Sequence, residues 1–392
     1  MRRVLVINDF ASRGGAEEVY RTTLSTLRSM SDVEARGFDG SLVDVPDTAR
    51  TRLWNAAASR ALDQVLMQFK PHVVWLHNYH NFLSPSILGP IRQHKRREGG
   101  EVWQTCHDYM PVFFSPEMLY HEGATSRVVP VEDLGTLRSV LKPSSRKGWK
   151  HDWLKKAHWA TVNAYFAPRR LIDRFLCPSP FLLEVFRRAG LAQSSYFPNP
   201  IDTPPSVAQR TRALQGRGLR LAFAGRLSYE KGLRELLGLA ASIGFQGIQD
   251  ITLYGDGPQR EALETEFGQA MASGRLIMAG RLAHEALQAK MTEHDALILA
   301  STWYENAPMV IPEAARNGVP ILVRNFGSMS SFGEDIGNKI LFEATQEGLR
   351  EALQRLEVRC EQVPAPVFDL RDYTLSRYED RIAELLSTAG GG

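Results

Sequence analysis

The sequence predicts an α/β protein with two doubly wound parallel sheets, and three observations support this. The chain has 392 residues, more than the size at which a single hydrophobic core usually stops growing. Short apolar runs alternate with helical patterns in both halves, as parallel strands joined by helices do. A proline-rich segment near residue 200 separates the halves. We therefore expect two similar Rossmann-like domains facing each other across a ligand-binding cleft.

In the first half, strands are predicted at residues 4–8, 71–77 and 102–106, and a helix at 16–30. Each strand is a short apolar run, and the helix carries apolar residues at helical spacing. Helices placed between strands in this way cover both faces of a parallel sheet.

The second half begins after Asn199-Pro200-Ile201-Asp202-Thr203-Pro204-Pro205, which we interpret as a linker. Apolar runs predict strands at 219–225, 250–254, 276–279, 296–300 and 320–323. Residues 371–387 have apolar side chains near helical spacing, which predicts a terminal amphipathic helix. The last residues, 389–392, read as a flexible tail.

Composition and charge limit the possible classes of protein. Hydrophobic residues make up 43% of the chain, and no run of eighteen apolar residues predicts a membrane span. The three cysteines are far apart, so we expect neither a disulfide framework nor a zinc cluster, and a cytoplasmic location. Residues 1–200 hold 27 Lys and Arg against 19 Asp and Glu, a charge of +8 within the total of +3. This favours an anionic partner, such as a lipid diphosphate or an acidic glycan, over nucleic acid.

Glu305 and Glu313 are the most informative pair. The run at 296–300 reads as a buried strand, residues 301–307 as the loop after it, and Pro308 or Pro312 as the start of a helix. Ligands of doubly wound sheets collect at such strand ends. The two carboxylates can accept hydrogen bonds from sugar or ribose hydroxyls beside the helix N-terminus. The alternative is that Glu313 only favours the helix start and Glu305 is a solvated loop charge.

Gly225-Arg226-Leu227-Ser228-Tyr229-Glu230-Lys231-Gly232 follows the first strand of the second half. Arg226 and Lys231 can converge there on a diphosphate and stabilise its charge as it leaves, although two surface cations on a loop would look the same. Arg281, after the strand at 276–279, lies where backbone groups could meet a nucleotide base.

The first half offers its own candidates at predicted strand ends. Gly14 and Gly15 open a helix and allow close approach of an anion, or form a plain strand–helix turn. His77-Asn78 and His107-Asp108 end two strands of one sheet, where a histidine can bind a hydroxyl or move a proton. A lone histidine is more often structural.

Residues 142–175 combine lysine and arginine with Trp149, Trp153 and Trp159, as membrane interfaces do. The basic members are Lys142, Arg146, Lys147, Lys150, Lys155, Lys156, Arg169, Arg170 and Arg174. A solvated helix with its tryptophans in the core is the alternative. No D-x-D triplet or metal-ligand spacing occurs, so we expect no metal and no cofactor, with cations in the place of a divalent ion.

Together these motifs resemble those of retaining glycosyltransferases of family 4, within the glycosyl transferases group 1, which have the GT-B fold. Residues 225–232 look like the family's G-R-x-x-x-x-K-G segment, and Glu305 and Glu313 match its E-x7-E pair. The resemblance implies domains at 1–200, with 372–388 crossing back to it, and at 201–371. It also implies an enzyme that moves a sugar from a UDP- or GDP-sugar to a saccharide or lipid-linked acceptor at the inner face of the membrane. The bond formed would be an α-glycosidic one in cell-envelope polysaccharide or glycolipid.

The resemblance also implies roles for individual residues. Glu305 and His107 would act at the reacting sugar, Arg226 and Lys231 on the diphosphate, and Glu313 on the ribose. Further donor contacts would come from Gly225, Asn306, Ala307, Pro308, Met309 and Arg281. The acceptor or phosphate side would hold Gly14, Gly15, His77, Asn78 and Asp108.

The chain departs from the family's pattern at Asn306, where a glycine is common, in the absence of cysteines between residues 109 and 175, and in the loop after the strand at 320–323. After the strand at 320–323, many members have two glycines and a glutamate, whereas residues 325–331 read Asn-Phe-Gly-Ser-Met-Ser-Ser. Two alternatives therefore stay open: a sugar-nucleotide epimerase or phosphorylase with the same fold, and a non-catalytic nucleotide-sugar-binding subunit.

Overall fold

Apolar runs form the strands of two six-stranded sheets in the computed structural model, which describes residues 1–11, 14–123, 125–201, 216–361 and 368–389. The chain divides into two units. The first unit comprises Met1–Gly123, Val129–Pro200 and Leu375–Gly392, and the second comprises Ala124–Val128 and Ile201–Thr374.

The strands of the first sheet lie in the order β2-β1-β3-β4-β7-β8, and all neighbours are parallel. The strand bounds in this part of the chain are β1 (Arg2–Asn8), β2 (Val33–Asp39), β3 (Val73–Leu76), β4 (Glu101–Thr105), β5 (Leu119–Glu122), β6 (Thr125–Val128), β7 (Arg174–Cys177) and β8 (Ser194–Tyr196). Strands β5 and β6 are not part of the six-stranded sheet and pair with each other in a separate two-stranded sheet. The helices are α1 (Gly15–Ser29), α2 (Ala49–Leu53), α3 (Ala56–Phe69), α4 (Leu88–Glu98), α5 (Leu137–Leu141), α6 (Trp149–Phe166), α7 (Pro168–Leu171) and α8 (Pro180–Arg188).

The strands of the second sheet lie in the order β11-β10-β9-β12-β13-β14, again all parallel. Their bounds are β9 (Leu219–Ala224), β10 (Ile248–Tyr254), β11 (Leu276–Gly280), β12 (Ala296–Leu299), β13 (Ile321–Arg324) and β14 (Lys339–Phe342). The helices are α9 (Leu233–Ser242), α10 (Arg260–Glu266), α11 (Gly268–Ala272), α12 (His284–Met291), α13 (Val310–Arg316), α14 (Ser328–Ser331), α15 (Gln346–Glu361) and α16 (Leu375–Thr388).

The strand order reverses direction once in each sheet. In the first sheet the chain leaves β1 for β2 on one side and β3 on the other, and in the second it leaves β9 for β10 and β12. Loops diverge at such a point and leave a crevice at the carboxyl ends of the two central strands. Ligand-binding residues are therefore expected after β1 and β3, and after β9 and β12.

Each sheet has its own hydrophobic core. Strands that are covered on both faces are apolar along their whole length and so contribute side chains to the core on both sides. In the first unit Val4, Val6, Trp75 and Trp103 are buried, and in the second a separate cluster gathers around Phe223 and its neighbours on the sheet. Fully burying one such side chain contributes roughly 1.5–3 kcal/mol. The two cores hold the central strand ends in place.

The terminal helix α16 packs in the core of the first unit. Tyr378, Ile382 and Leu386 are buried there, and the hydroxyl of Tyr378 lies 2.7 Å from that of Thr23 on α1. The ring of Tyr378 packs 5.2 Å from that of Phe197. The predicted amphipathic helix is thus confirmed.

All predicted strands are present, with ends shifted by one or two residues in most of them. Strands β2, β5, β6, β7, β8 and β14 were not predicted. Residues 202–205 of the predicted linker and 390–392 of the predicted tail lie outside the described residues.

Candidate active site

Lys231 and Glu305 meet at the crevice of the second sheet. Lys231 ends the loop after β9, Glu305 lies in the loop after β12, and the lysine Nζ is 2.6 Å from the carboxylate Oε1. Ser301 Oγ donates a second hydrogen bond to the same oxygen, at 2.5 Å. Two predicted site residues 74 positions apart are thereby brought together where the strand order reverses.

The local backbone fixes this meeting. Gly232 has φ +66°, and a Cβ there would lie 2.1 Å from the carbonyl oxygen of Ala300, so only glycine fits. Thr302 N also donates to Glu230 O at 2.8 Å, which joins the two loops directly. The glycine after Lys231 thus allows the first loop to pass close to the end of β12.

Glu305 is only 8% exposed, so it is not the solvated loop charge of the alternative interpretation. Burial by itself would raise the pKa of Glu305, but the charge and hydrogen bond of Lys231 and the hydrogen bond of Ser301 outweigh it and lower the pKa. The indole N–H of Trp303 lies close enough to lower this pKa further, although it is not aligned for a hydrogen bond. Glu305 is therefore an anion at neutral pH, able to accept hydrogen bonds but not to donate a proton.

Glu313 lies in the first turn of α13 and is held by a network that the sequence did not predict. The side-chain amide of Gln288, on α12, donates to Glu313 Oε2 at 3.1 Å. Its amide oxygen accepts from Arg316 Nη2 at 2.9 Å and from Asn317 Nδ2 at 2.6 Å. If the Gln288 amide were flipped, its NH2 group would face the donors of Arg316 and Asn317. These hydrogen bonds therefore fix the orientation of Gln288 and hence that of Glu313.

Arg226 and Arg281 are exposed, and within the described part of the chain neither side chain has an ion pair or a hydrogen bond. Gly225 comes directly after β9 and Arg281 directly after β11, so both lie at the same edge of the sheet as Lys231. The two arginines can therefore meet an anion, whereas Lys231 already neutralises Glu305. The structure does not bring Arg226 and Lys231 into contact with each other.

Asn306, Ala307, Pro308 and Met309 continue the loop after Glu305 and are partly buried, and α13 begins at Val310. The loop at 325–331, in which the chain departs from the family, contacts the residues just before this segment. The ring of Phe326 stacks on Tyr304 at 5.6 Å, and Ser328 Oγ donates a hydrogen bond to the carbonyl of Glu305. The loop that lacks the second glycine and the glutamate therefore supports the Glu305 backbone.

Lys339 stabilises the same loop and the residue after it by hydrogen bonds to backbone carbonyl oxygens. Its Nζ donates to the carbonyl oxygens of Met329, Ser330 and Phe332, at 3.1, 2.6 and 3.1 Å. Burial lowers the pKa of Lys339 to about 8. Lys339 lies in β14, a strand that the sequence did not predict, so its contact with this loop could not be predicted from the sequence alone.

In the first unit, His77 and His107 form a pair at the carboxyl ends of β3 and β4. Their Nδ1 and Nε2 atoms are 3.0 Å apart, and the rings stack at 5.2 Å. Burial lowers the pKa of His107 to about 4 and that of His77 further, helped by His107. Both rings are therefore neutral near pH 7. His77 has no exposed surface, so any ligand would reach this pair through His107.

Two carboxyl groups, Asp9 and Asp108, lie in the loops that follow β1 and β4. Burial raises the pKa of Asp108 to about 7 and that of Asp9 to about 6, against their backbone hydrogen bonds. Asp9 accepts from the N–H groups of Asn81 and Leu83, each at 2.9 Å. Sequence reasoning missed Asp9, which ties the loop after β1 to the loop after β3.

The remaining predicted residues of the first unit lie in these same two loops. Asn78 N donates to Asn8 Oδ1 at 2.9 Å, a second link between the loops. Gly14 is the N-cap residue of α1, which Gly15 begins, and a glycine has no side chain with which to cap the helix. The first N–H groups of this 15-residue helix have no partner within the helix, and such a helix end can bind an anion.

Within the described residues, no group of three or more His, Cys, Asp or Glu side chains is placed to hold a metal ion. In the same part of the chain, no helix has the length and apolar character that crossing a membrane requires. The predictions of metal independence and of a peripheral membrane contact stay predictions.

Comparison with known proteins supports the motifs of the second unit. Residues 209–359 match the family model described as glycosyl transferases group 1. A 2-deoxystreptamine glucosyltransferase from Streptomyces kanamyceticus is 27% identical over 43% of this chain and 44% of its own length. The chain therefore matches less than half the length of this relative, and the matched family segment is less than half of the chain.

Solved structures share the fold along nearly the whole chain. The lipopolysaccharide outer core galactosyltransferase WaaB, in its apo form, superposes with a TM-score of 0.66 at 14% identity, over 99% of both chains. The Anabaena protein HepE, in complex with UDP and glucose, has a TM-score of 0.61 at 15% identity, over 99% of this chain and all of its own. The predicted fold class is confirmed as GT-B, with two Rossmann-like parallel-sheet units.

Proposed function

We propose that this protein is a retaining glycosyltransferase of family 4 that transfers a sugar from a UDP- or GDP-sugar to a saccharide or lipid-linked acceptor. The ionised Glu305, held by Lys231 and Ser301 at the crevice of the second unit, carries the proposal. The group 1 match over residues 209–359 covers both loops. UDP-glucose is a reasonable first donor, because HepE, which has the same fold, has been solved with it.

The charges suggest how the donor would be received. A diphosphate that reaches the exposed Arg226 would compete with Glu305 for the ammonium of Lys231. Once the lysine turns to the phosphate, Glu305 Oε1 is free to accept a hydrogen bond from a sugar hydroxyl. Because Glu305 is buried, its new hydrogen bond would be formed with little competition from water. The Lys231–Glu305 pair would thus be the resting arrangement of the site.

The chemical step proposed by resemblance is substitution at the anomeric carbon with retention. The bond from this carbon to the phosphate oxygen breaks, and the bond to the acceptor oxygen forms on the same face. The acceptor proton passes to a phosphate oxygen, so no side chain has to act as the base. Lys231 and Arg226 would stabilise the departing diphosphate, and cations in this role make a divalent ion unnecessary.

Glu313 would accept hydrogen bonds from the ribose hydroxyls. A carboxylate fixed in orientation by Gln288 loses little freedom on binding, which favours a specific contact. In the first unit, the neutral His107 and Asp108, whose pKa burial raises to about 7, could bind hydroxyl groups of a sugar. The role of His107 at the reacting sugar stays a prediction.

A peripheral membrane contact through residues 142–175 is part of the proposal. Trp149 and Trp153 are 71% and 50% exposed on one face of α6, near the exposed Lys147 and Lys150. Lys156, predicted among the surface cations, is instead buried: its side chain is 5% exposed and pairs with Asp152 at 2.5 Å. Sedimentation with phosphatidylglycerol liposomes should weaken in Lys147→Glu/Lys150→Glu, and unchanged binding would refute the contact.

The test of function is sugar transfer by Glu305→Gln, with Glu293→Gln, a surface change on the same unit, as the control. We expect the first variant to bind the nucleotide diphosphate yet to transfer no sugar, and the second to be fully active. Full activity of Glu305→Gln would refute the role of Glu305. An isomerised nucleotide sugar or a sugar phosphate as product would favour the epimerase or phosphorylase. Donor binding without turnover under any acceptor would favour a binding subunit.

A further inference from the structure

A cavity of about 490 Å³, counting its open mouth, lies in the first unit between the sheet and α6. Gln104 of β4 and Phe175 of β7 line it from neighbouring positions on the sheet, and Trp159 and Val162 line it from α6. Its surface is mainly apolar, as in most small-molecule sites. None of these residues belongs to the donor site proposed above.

Gln104 is an unexpected residue for this place. It is 3% exposed in a central strand of a parallel sheet, a position that usually holds an apolar side chain. Among the described residues, its Oε1 has no hydrogen-bond donor as partner, and the buried Nε2 of His80 has no partner in either tautomer. Two unpartnered polar atoms in one cavity are a reason to look for a ligand.

One residue of the lining, the partly buried Arg169, carries a positive charge. Arg169 donates to the carbonyl oxygens of Pro111 and Val112, at 3.1 and 3.3 Å, and no carboxylate of the described residues lies within 4.0 Å of it. The lining contains no Asp or Glu. A partly buried guanidinium without an acidic partner favours an anionic group on a ligand.

We propose that this cavity binds a small amphiphile, an aromatic or aliphatic acid that also carries a hydroxyl group. The apolar body would fill the space between Phe175 and Trp159, where flat rings pack well. The hydroxyl would donate to Gln104 Oε1, and the carboxylate or phosphate would pair with Arg169. Such a ligand would give Gln104 Oε1 a hydrogen-bond donor and Arg169 a negative charge. A plain hydrocarbon chain would provide neither.

The probe is 4-hydroxybenzoate, titrated by calorimetry into the full-length protein without any nucleotide sugar. Benzoate lacks the hydroxyl, and 4-hydroxybenzamide lacks the charge. We expect 4-hydroxybenzoate to bind about tenfold more tightly than either, the effect of one added polar contact. If none of the three binds saturably, or if all three bind alike, the proposal is overturned.

Variants of the lining locate the binding. Gln104→Leu keeps the side-chain volume and suits a buried strand, so the variant should fold. It should bind 4-hydroxybenzoate no more tightly than benzoate, but still more tightly than 4-hydroxybenzamide. Val162→Phe should fill the cavity and abolish binding of all three probes. Gln269→Leu, an exposed change on α11, is the matched control and should bind as the wild type. Wild-type affinities in Gln104→Leu and Val162→Phe would overturn the proposal. The readout is independent of sugar transfer.

Discussion

Replacing Lys231 with methionine removes one charge of the Lys231–Glu305 pair and keeps most of the apolar chain. In the wild type the two side chains are 23% and 10% exposed, so the pair is largely shielded from water. Without the ammonium, the burial of Glu305 is opposed mainly by Ser301, and the pKa of the carboxyl should rise above its usual 4.5. The variant must then either bury an unpaired anion or take up a proton.

The size of the effect follows from this choice. Breaking a buried ion pair by removing one partner costs about 3–5 kcal/mol. Because Ser301 still donates and Lys231 is partly exposed, we expect a loss of about 2–3 kcal/mol at pH 8. In the wild type the lowered pKa gives stability above pH 4.5 that is lost as the pH falls. In the variant the pKa of Glu305 is raised instead of lowered, so stability is lost as the pH rises. The cost of ionising Glu305 in the variant is therefore small at pH 5.

The assay is urea unfolding at pH 5 and pH 8, followed by hydrogen exchange in peptides from residues 219–361, which separates this unit from the first. Lys290→Met is the matched control. It breaks the surface pair with Glu293, in which both side chains are 48% exposed, and should change the stability little at either pH because water screens the pair. The double variant Lys231→Met/Glu305→Gln should recover most of the loss at pH 8. An equal loss at both pH values, without recovery in the double variant, would refute the reasoning.

Three further predictions follow from the same contacts. Gln288→Leu should weaken binding of the nucleotide diphosphate about tenfold, since Glu313 loses the donor that orients it; calorimetry with the 2′,3′-dideoxy analogue, which lacks the ribose hydroxyls, should give the same affinity for both proteins. Asp108→Asn should raise the melting temperature at pH 8 but not at pH 4, because the raised pKa of the wild-type carboxyl makes its ionisation costly as the pH rises through about 7. An equal rise at both pH values would contradict this. Ser328→Ala should raise KM for the donor more than it lowers kcat, since the hydroxyl holds the carbonyl of Glu305; unchanged kinetics would show that the loop at 325–331 does not position it.

The strands that the sequence predicted are apolar runs next to motifs, and those that it missed have other patterns. Strand β2 reads Val-Glu-Ala-Arg-Gly-Phe-Asp because it lies at the sheet edge with one face near solvent. Strand β7 follows a basic stretch, and β8 has three residues. Such strands are defined by their neighbours in the sheet more than by their own periodicity.

For the candidate site, too, the sequence predicted some features and missed others. Spacing along the chain indicated Lys231 and Glu305, but their contact depends on β9 and β12 being neighbours, which no local pattern reveals. Gln288 acts on Glu313 from 25 residues away, and Ser328 on Glu305 from 23. The prediction that Lys156 is a surface cation was wrong, because Asp152 lies one helical turn before it and pairs with it inside the protein.

The most direct test of the account is time-resolved proton NMR of the purified protein with UDP- and GDP-sugars, without added metal and with saccharide and lipid-linked acceptors present. The account predicts that one α-linked donor is consumed, that nucleoside diphosphate is released, and that the anomeric signal of the product shows an α linkage. A β-linked product would contradict retention. A donor that binds but stays intact with every acceptor would contradict the assignment as a transferase.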